Sequence, residues 1–451
     1  MRFFVSSSRT GKKPVSNLAL AIALATGTAV LSGVVAEPAF AQREKKEKKK
    51  PEAAAYSKEF VAMFQPLQAA VNTEGGDVVT AKTQFPALLA LTVSPDEKNA
   101  TGGLIYNAGA KTGDQTLQLQ GMALMLESGK VAPEQVGRFN FIAYQLANAQ
   151  RQSAESRVFL QKAIDAQFTT PELTVADMQT AMAESFISEQ RYADGLNYLA
   201  QAIAKAKSEG QTVDETWYRR GLSVGYNNKV TPQVYEFVTG WVIDYPSATN
   251  WRDAINIARN MNSFEGPEML DLLRLSLRVG ALQEKYEYSD YVEAADARRL
   301  PKEVKRVVDD AFNSGRASRD DIYLADALQI ANGRIAADEH ELPALEKDAR
   351  AATAVLRTVV AAGDTFLSYS QYPKAEEFYT KALGMPGVNT AEVQTRLGIA
   401  QTEQAKYDEA IATFRKIGGK RDPIARLWAA YATQKKNASA PAAAPEPAPG
   451  D

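Results

Sequence analysis

Two segments near the carboxyl end of this 451-residue chain repeat one another, so that Gly363 returns as Gly398 after 35 residues. The other corresponding positions are Tyr372 and Tyr407, Ala375 and Ala410, and Tyr379 and Phe414. Two antiparallel helices joined by a short turn approach closely only where the facing side chains are glycine or alanine, and aromatic side chains fill the space beside that contact. A fixed period of about 20–50 residues is typical of stacked structural repeats. The repeat therefore predicts consecutive helix pairs.

The residues at these positions resemble the tetratricopeptide repeat (TPR), a family of helix-pair repeats. The first copy fits the TPR pattern at Gly363, Phe366, Tyr372, Ala375, Tyr379, Ala382 and Pro386, and the second at Leu397, Gly398, Tyr407, Ala410 and Phe414. Gln401 and Ile417 depart from the pattern, and we expect the last unit to pack loosely or to cap the array. The resemblance implies an all-α fold: an α-solenoid of antiparallel helix pairs, flanked by disordered termini.

A weaker repeat with a period of 39 residues extends from about residue 104 to residue 206. Its three copies align Ala108, Ala147 and Phe186, and also Leu124, Ala163 and Ala202. The third copy resembles the TPR spacing as well, with Ala183, Phe186, Tyr192, Gly195, Leu199 and Ala202 in register. Because the period exceeds the TPR period of about 34 residues, we expect longer helices or loops here.

Apolar periodicity and turn residues predict where the helices begin and end. Gly102 and Gly103 predict a break, and residues 319–333 and 343–362 are predicted as two separate helices. A closing helix over residues 424–434 is expected to carry a solvated face, because an open repeat would leave an apolar face in water.

The predicted division of the chain follows from these patterns. It comprises residues 1–41 as a signal peptide, 42–55 as a basic disordered tail, 56–211 as N-terminal helical repeats, 212–341 as irregular helical repeats, 342–436 as a C-terminal TPR pair with a closing helix, and 437–451 as a Pro/Ala-rich disordered tail.

The first 41 residues contain the three regions of a signal peptide: basic residues, an apolar stretch at 18–35, and the small–x–small site Ala39-Phe40-Ala41. An uncleaved membrane anchor is the alternative, because residues 14–36 carry no charge and are long enough to cross a bilayer. The cleavage site and the glycines within the apolar stretch favour removal. We therefore expect a mature protein that begins at Gln42, is periplasmic or secreted, and has no membrane span after cleavage.

The distribution of charge argues against a nucleic-acid partner. The formal net charge is −2; residues 1–41 carry +3 and residues 42–52 another +3, so the remainder carries −8. A nucleic-acid-binding surface is instead strongly basic. The basic tail is predicted to be disordered, because a run of charge without large apolar residues buries nothing. It is either a spacer or a patch that contacts anionic envelope polymers or lipid.

No catalytic or metal-binding motif stands out in the sequence. Cysteine is absent, and the single histidine, His340, lies between Glu339 and Glu341, which as adjacent helical residues cannot converge with it on one ion. We expect His340 to be a solvated helix-end residue, and Asp309, Asp310, Asp320 and Asp321 to be surface or helix-cap groups, with Asp320 as a cap. We predict no enzyme activity and no cofactor, although the abundant carboxylates leave open a carboxylate-pair hydrolase of the helical lyase or lytic glycosidase kind.

The aromatic residues of the middle region permit two interpretations. Tyr245 and Trp251 flank a turn at residues 244–247, and exposed aromatic side chains bind peptides and glycans. A protein that binds or processes envelope polysaccharide or peptidoglycan is therefore the alternative function. The helical spacing of Trp241 and Trp251 favours a packing role instead.

The TPR resemblance implies a partner surface on the concave side, lined by the first helix of each pair. In the family register this surface receives Asp177, Thr180, Glu184 and Ile187, then Arg357, Val360, Asp364 and Leu367, and finally Thr395, Arg396, Ile399 and Glu403. TPRs that bind chaperone C-termini use lysine and asparagine there, whereas this chain has Asp364 and Glu184 at the asparagine positions. We predict a non-catalytic scaffold or adaptor in the bacterial envelope that binds other proteins or peptide segments near Arg357, Asp364, Arg396 and Glu403.

Overall fold

The computed structural model describes residues 56–439. Within this range the chain is all-helical, with no β-strand and one isolated bridge between Thr170 and Leu173, which confirms the predicted all-α class. The chain divides into two compact units after Phe168. The predicted signal peptide, the basic tail and the chain beyond residue 439 lie outside the described residues. No helix of the described range is long and apolar enough to cross a membrane.

The first unit contains seven helices among its described residues. They are α1 (Lys58–Asn72), α2 (Val78–Thr83), α3 (Phe85–Leu91), α4 (Pro95–Thr112), α5 (Gln115–Glu127), α6 (Pro133–Ala149) and α7 (Ser153–Asp165). Helices α1–α4 enclose one apolar cluster around Phe60 and Ile105, and α5–α7 enclose another around Met122 and Phe159. The buried Glu97 ties α4 to the start of α1 by accepting a 2.8 Å hydrogen bond from the backbone N–H of Ser57.

The predicted break at Gly102 and Gly103 is wrong, because α4 continues through both residues. The reason is a close contact with α5: a methyl group added at Gly102 would lie 2.7 Å from the carbonyl oxygen of Gly121. Glycine here lets two helix backbones touch, and this gain outweighs the roughly 1 kcal/mol that glycine costs inside a helix.

The second unit contains fourteen α-helices among its described residues. They are α8 (Val175–Ser188), α9 (Tyr192–Ser208), α10 (Glu215–Asn227), α11 (Gln233–Asp244), α12 (Ala248–Met261), α13 (Gly266–Arg278), α14 (Lys285–Ala295), α15 (Pro301–Asn313), α16 (Ile322–Arg350), α17 (Leu356–Ser368), α18 (Tyr372–Leu383), α19 (Thr390–Glu403), α20 (Tyr407–Phe414) and α21 (Asp422–Ser439). A 3-10 turn at Gly419–Arg421 precedes α21.

The same turn joins the two helices of four pairs in this unit: α8/α9, α10/α11, α17/α18 and α19/α20. One residue of each turn is left-handed, with φ between 53° and 61°: Gln190, Lys229, Ser370 and Ala405. The next backbone N–H then bonds a carbonyl five residues earlier, as Gln371 does to Phe366 at 2.8 Å. This is the Schellman arrangement, which pairs the last carbonyls of a helix and reverses the chain.

Close helix–helix contact recurs within these pairs between a glycine and an aromatic ring 16 residues later. A methyl group added at Gly363 or at Gly398 would lie 2.6 Å from the ring of Tyr379 or of Phe414. Gly221 makes the same contact with Phe237. The region predicted as irregular, residues 212–341, therefore contains a helix pair with this packing. Periodicity missed it because Val230 and Gln233 stand where the C-terminal copies have tyrosine and alanine.

Helix α16 corrects a second boundary prediction. It is one 29-residue helix that includes Pro343, and the chain breaks instead at residues 351–355. Proline inside a helix leaves a carbonyl four residues earlier without its N–H partner. Here that carbonyl belongs to Glu339, which is exposed to water. His340 is solvated, but it lies in the interior of α16 and not at a helix end.

The closing helix α21 differs from the solvated helix that was expected. Ile424, Leu427 and Trp428 are fully buried, because α21 packs against α11, α13 and α20. It also continues to Ser439, three residues into the predicted tail. The final repeat is not loose either: Gln401 is buried and accepts a 2.8 Å hydrogen bond from Thr413.

Candidate functional site

Helix α13 lies on the first-helix side of the C-terminal pairs. Its apolar side chains join two cores of the second unit: Leu272 and Leu275 pack into the large cluster that includes α17–α21, and Leu270 and Leu273 pack with α14–α16. A helix that is apolar around most of its circumference belongs in a protein interior. One acidic and one basic residue, Asp271 and Arg274, interrupt its apolar run. Both are therefore buried in that interior.

Asp271 is fully buried among three arginines. Its carboxylate accepts hydrogen bonds from Arg274 at 2.9 Å and Arg421 at 2.7 Å, and Arg396 Nε lies 3.5 Å away. Burial alone would raise the pKa of Asp271, but the positive charges outweigh this effect and hold the pKa below its ordinary value. The carboxylate therefore remains charged and links α13 to α19 and to the turn before α21.

A second buried ion pair joins the same helix to α15. Arg274 donates two hydrogen bonds of 2.8 Å to the carboxylate of Glu303 on α15, which also accepts one of 2.7 Å from the Tyr291 hydroxyl. Burial opposes the charge of Glu303, yet Arg274 lowers its pKa to about 2. Two parallel N–H···O bonds fix the relative orientation of the two groups.

The predicted residues Asp364, Arg396 and Glu403 lie close to α13. Arg396 donates to Asp364 at 2.9 Å and pairs with Glu392 at 2.7 Å, so that its pKa rises although burial alone would lower it. Glu403 accepts a 2.6 Å hydrogen bond from Arg278 at the end of α13. Helix α13 thus contacts two of the four residues predicted to bind a partner, Arg396 and Glu403, and Asp364 is bonded to Arg396.

The fourth predicted residue, Arg357, stands apart from this network. It lies exposed in the first turn of α17. A role of the four residues in partner binding stays a prediction, but α13 leaves little free space beside Arg396 and Glu403. A crevice between Arg274, Glu303 and Trp428 has a volume of about 20 Å³, room for about one water molecule.

The first-helix face of α8 is open by comparison. Asp177 is exposed, and Thr180, Glu184 and Ile187 are partly exposed. Glu184 accepts two hydrogen bonds, of 2.5 and 2.7 Å, from Arg220 on α10, with 39% and 44% of the two side chains exposed. We call Asp177, Thr180, Glu184 and Ile187 the α8 face.

The two tryptophans of the middle region lie in the core, as the packing interpretation predicted, and the partly buried Tyr245 packs against that core. Trp241 and Trp251 are each only 2% exposed, and their indole N–H groups donate to Glu215 and Gln434. The hydroxyl of Tyr245 donates to the carbonyl of Val213 at 2.6 Å. Their rings are therefore not arranged as an exposed aromatic platform for a glycan.

The carboxylates singled out in the sequence serve local structure. Asp309 pairs with Lys305, and Asp310 accepts from Tyr288. The cap of α16 is Asp321, which accepts from the N–H of Leu324; Asp320, predicted as the cap, is exposed one residue earlier. In residues 56–439 no group of three or more histidine, aspartate or glutamate side chains is arranged to hold a metal ion.

Sequence reasoning missed Asp271 and Glu303, the two most buried acids of the second unit. A signal for Asp271 was present, because Asp271 and Arg274 interrupt the apolar run MLDLLRLSLRV at a spacing that pairs them on one helix face.

Comparison with known proteins returns no relative: no family model matches the chain, and no match is found among curated proteins. The resemblance to the TPR family therefore rests on the residues of this chain alone.

Proposed function

We propose that this protein is a non-catalytic, TPR-like α-solenoid scaffold of the bacterial envelope that binds segments of partner proteins on the first-helix faces of its pairs. The observation that carries the proposal is the packing of α13 against α19. On α19, the side chains of Arg396, Ile399 and Glu403 meet α13 through a combination of apolar and charged contacts. Such a combination is suited to holding an amphipathic helix in a groove.

The equivalent face on α8 supports the same role for a partner from outside the chain. Ile187 is partly exposed there, with its side chain beside Gly195 of α9, and Glu184 and Arg220 supply charges that water partly covers. Among the described helices of the second unit, none packs on this face in the way that α13 packs against α19. A partner helix can therefore bind at the α8 face without displacing a helix of the second unit.

Crosslinking in the living cell tests this surface. A photoreactive amino acid in place of Thr180 should capture a partner segment, whereas one in place of Gln201, exposed on the second helix α9, should not. Glu184→Arg should reduce capture from Thr180 at least fivefold, and the matched reversal Lys205→Glu on α9 should leave it unchanged. Equal capture from both positions, or equal effects of the two reversals, would overturn the assignment of the binding face.

The proposed envelope location has its own test. The motif Ala39-Phe40-Ala41 predicts that fractionation places the protein in the periplasm or the medium, with Gln42 as its first residue. A protein that is found in the cytoplasm and retains Met1 would contradict export. Its role as a scaffold would still be decided by the crosslinking test.

A further inference from the structure

An open groove of the first unit lies along α5. It has a volume of about 380 Å³ and extends from the α3 residue Leu89, across α5, to the junction of α6 and α7. All of its lining residues belong to the first unit, so it is separate from the α8 face and from α13.

The floor of the groove is apolar. Leu119, Ala123 and Leu124 line it from α5, and Leu89 lines it from α3. Leu89, Ala123 and Leu124 are partly exposed, and Leu119 is buried. When a ligand side chain covers apolar surface at the base of a concave site, the burial favours binding by about 25 cal/mol per Å².

Amide side chains form the walls. Gln120 lies on α5, and Gln150 and Gln152 lie at the turn before α7. Gln150 is fixed by a 3.1 Å hydrogen bond to the carbonyl of Gln115, whereas Gln120 and Gln152 form no side-chain hydrogen bond within the described residues. An amide offers both donors and an acceptor, which matches the alternating N–H and C=O groups of an extended peptide.

The charges of the groove are of one sign. Glu127 and Glu155 line it, and no lysine or arginine does. Glu127 is 64% exposed and pairs with Lys98 outside the groove, while Glu155 has no ion pair within the described range. Glu127 ends α5, whereas Glu155 lies in the first turn of α7, on the side of Thr116, which contacts Gln150.

The span of the groove along α5 sets the length of the ligand, because Thr116 and Glu127 both line it. Thr116 and Glu127 lie eleven positions apart on α5, which corresponds to about 16 Å along the helix. An extended chain covers this distance in about five residues at roughly 3.3 Å each.

We propose that this groove binds an extended segment of a partner protein in which apolar side chains lie between two basic residues about five positions apart. The basic residues meet Glu127 and Glu155, the apolar side chains cover Leu119 and Leu124, and the amides of Gln120 and Gln152 bond the peptide backbone. The inference rests on the proposed function in that the ligand is a protein, but it concerns another surface.

Fluorescence anisotropy with the full chain tests the inference. Three labelled eight-residue peptides share an alternating Leu/Ser core and carry lysine, serine or glutamate at positions five apart. The lysine peptide should bind at least tenfold more tightly than the glutamate peptide. The variant Glu127→Gln/Glu155→Gln should lower the affinity for the lysine peptide at least tenfold, whereas the matched variant Glu59→Gln/Glu134→Gln, which removes two exposed acids elsewhere in the unit, should not.

Several outcomes would overturn the inference. They are no binding of the lysine peptide at millimolar concentration, equal binding of the three peptides, equal effects of the two double variants, or a requirement for anionic lipid vesicles in place of peptide. Glu184→Arg separates the two proposals: it should leave peptide binding intact, and the groove variant should leave capture from Thr180 intact. Absence of peptide binding in a protein that still captures from Thr180 would refute the groove alone, and absence of capture in a protein that still binds the peptide would refute the α8 face alone.

Discussion

Helices α8 and α19 occupy the same place in the repeat, yet their surroundings differ completely. Each is the first helix of a pair and each ends in the same left-handed turn, at Gln190 and at Ala405. Helix α8 buries three residues, whereas α19 buries nine, including Arg396. The difference arises from α13 and α21, which pack against α19, whereas among the described helices of the second unit only α9 packs closely on α8. A repeat position therefore determines which way a side chain faces, but not whether it faces water or protein.

The charges on the two helices have different energetic consequences for this reason. The Glu184–Arg220 pair is well exposed, and exposed pairs contribute about 0–1 kcal/mol. Asp271 and Arg396 are almost completely buried, where removing one partner leaves an uncompensated charge. Charge variants at the face of α19 should therefore lower the stability of the fold before any effect on partner binding can be measured.

The largest expected effect is on stability when Asp271 is removed. Asp271→Ala leaves Arg274, Arg396 and Arg421 in the interior without their shared carboxylate, which should cost about 3–5 kcal/mol. Glu184→Ala on α8 should cost no more than about 1 kcal/mol. Urea unfolding of the two variants measures the difference. Similar losses would mean that the buried network does not distinguish the two faces.

Acid should weaken the same buried region. The pKa of Glu303 is about 2 in the folded protein against an ordinary 4.5, so the unfolded chain takes up this proton first as the pH falls. The stabilisation is complete above pH 4.5 and is lost as the pH falls from about 4.5 to about 2. At 1.36 kcal/mol per unit this amounts to roughly 3 kcal/mol. Urea unfolding at several pH values should show this dependence, and Glu303→Gln should reduce it. An unchanged slope in the variant would contradict the assignment.

A smaller effect is expected at the contact within a pair. Gly398 faces the ring of Phe414, whereas the equivalent positions in the α8 pair are Ala183 and Leu199, both buried in the large apolar cluster. Gly398→Ala should cost about 1–3 kcal/mol, because its methyl group would overlap the ring. Gly333→Ala is the matched control, since nothing lies within 4 Å of that position on the exposed side of α16, and it should gain about 0.5–1 kcal/mol. Melting temperatures that change in the same direction would show that the glycine contact is not required.

The smallest effect is expected when the exposed pair is exchanged. Glu184→Arg combined with Arg220→Glu restores the pair in the opposite sense and should change the free energy of unfolding by less than about 1 kcal/mol. The corresponding exchange of Asp271 and Arg396 should not recover stability, because Arg274 and Arg421 would then face a new positive charge. Unfolding curves of both double variants, beside their single variants, measure the two coupling energies.

Sequence reasoning was most successful where the determining contacts are local. The pairs α17/α18 and α19/α20 were located from a glycine, an alanine and two aromatic residues within one period, because these side chains meet across a single turn. It failed at Gly102, which has turn propensity but packs on Gly121, and at Pro343, whose missing hydrogen bond falls on a helix surface open to water. In both cases the neighbours in space, and not those in sequence, decided the outcome.

The sequence by itself determined that this protein is helical and that pairs of helices recur along it, since apolar periodicity and small residues act over three to sixteen positions. It also placed Asp364, Arg396 and Glu403 on first helices. Only the tertiary structure decided that α13 packs against Arg396 and Glu403. The contacts that hold α13 there include Arg278 with Glu403 and Arg421 with Asp271, which join residues 125 and 150 positions apart. Periodicity carries no information over such distances, because it reports the face of a helix and not the partner that the face meets.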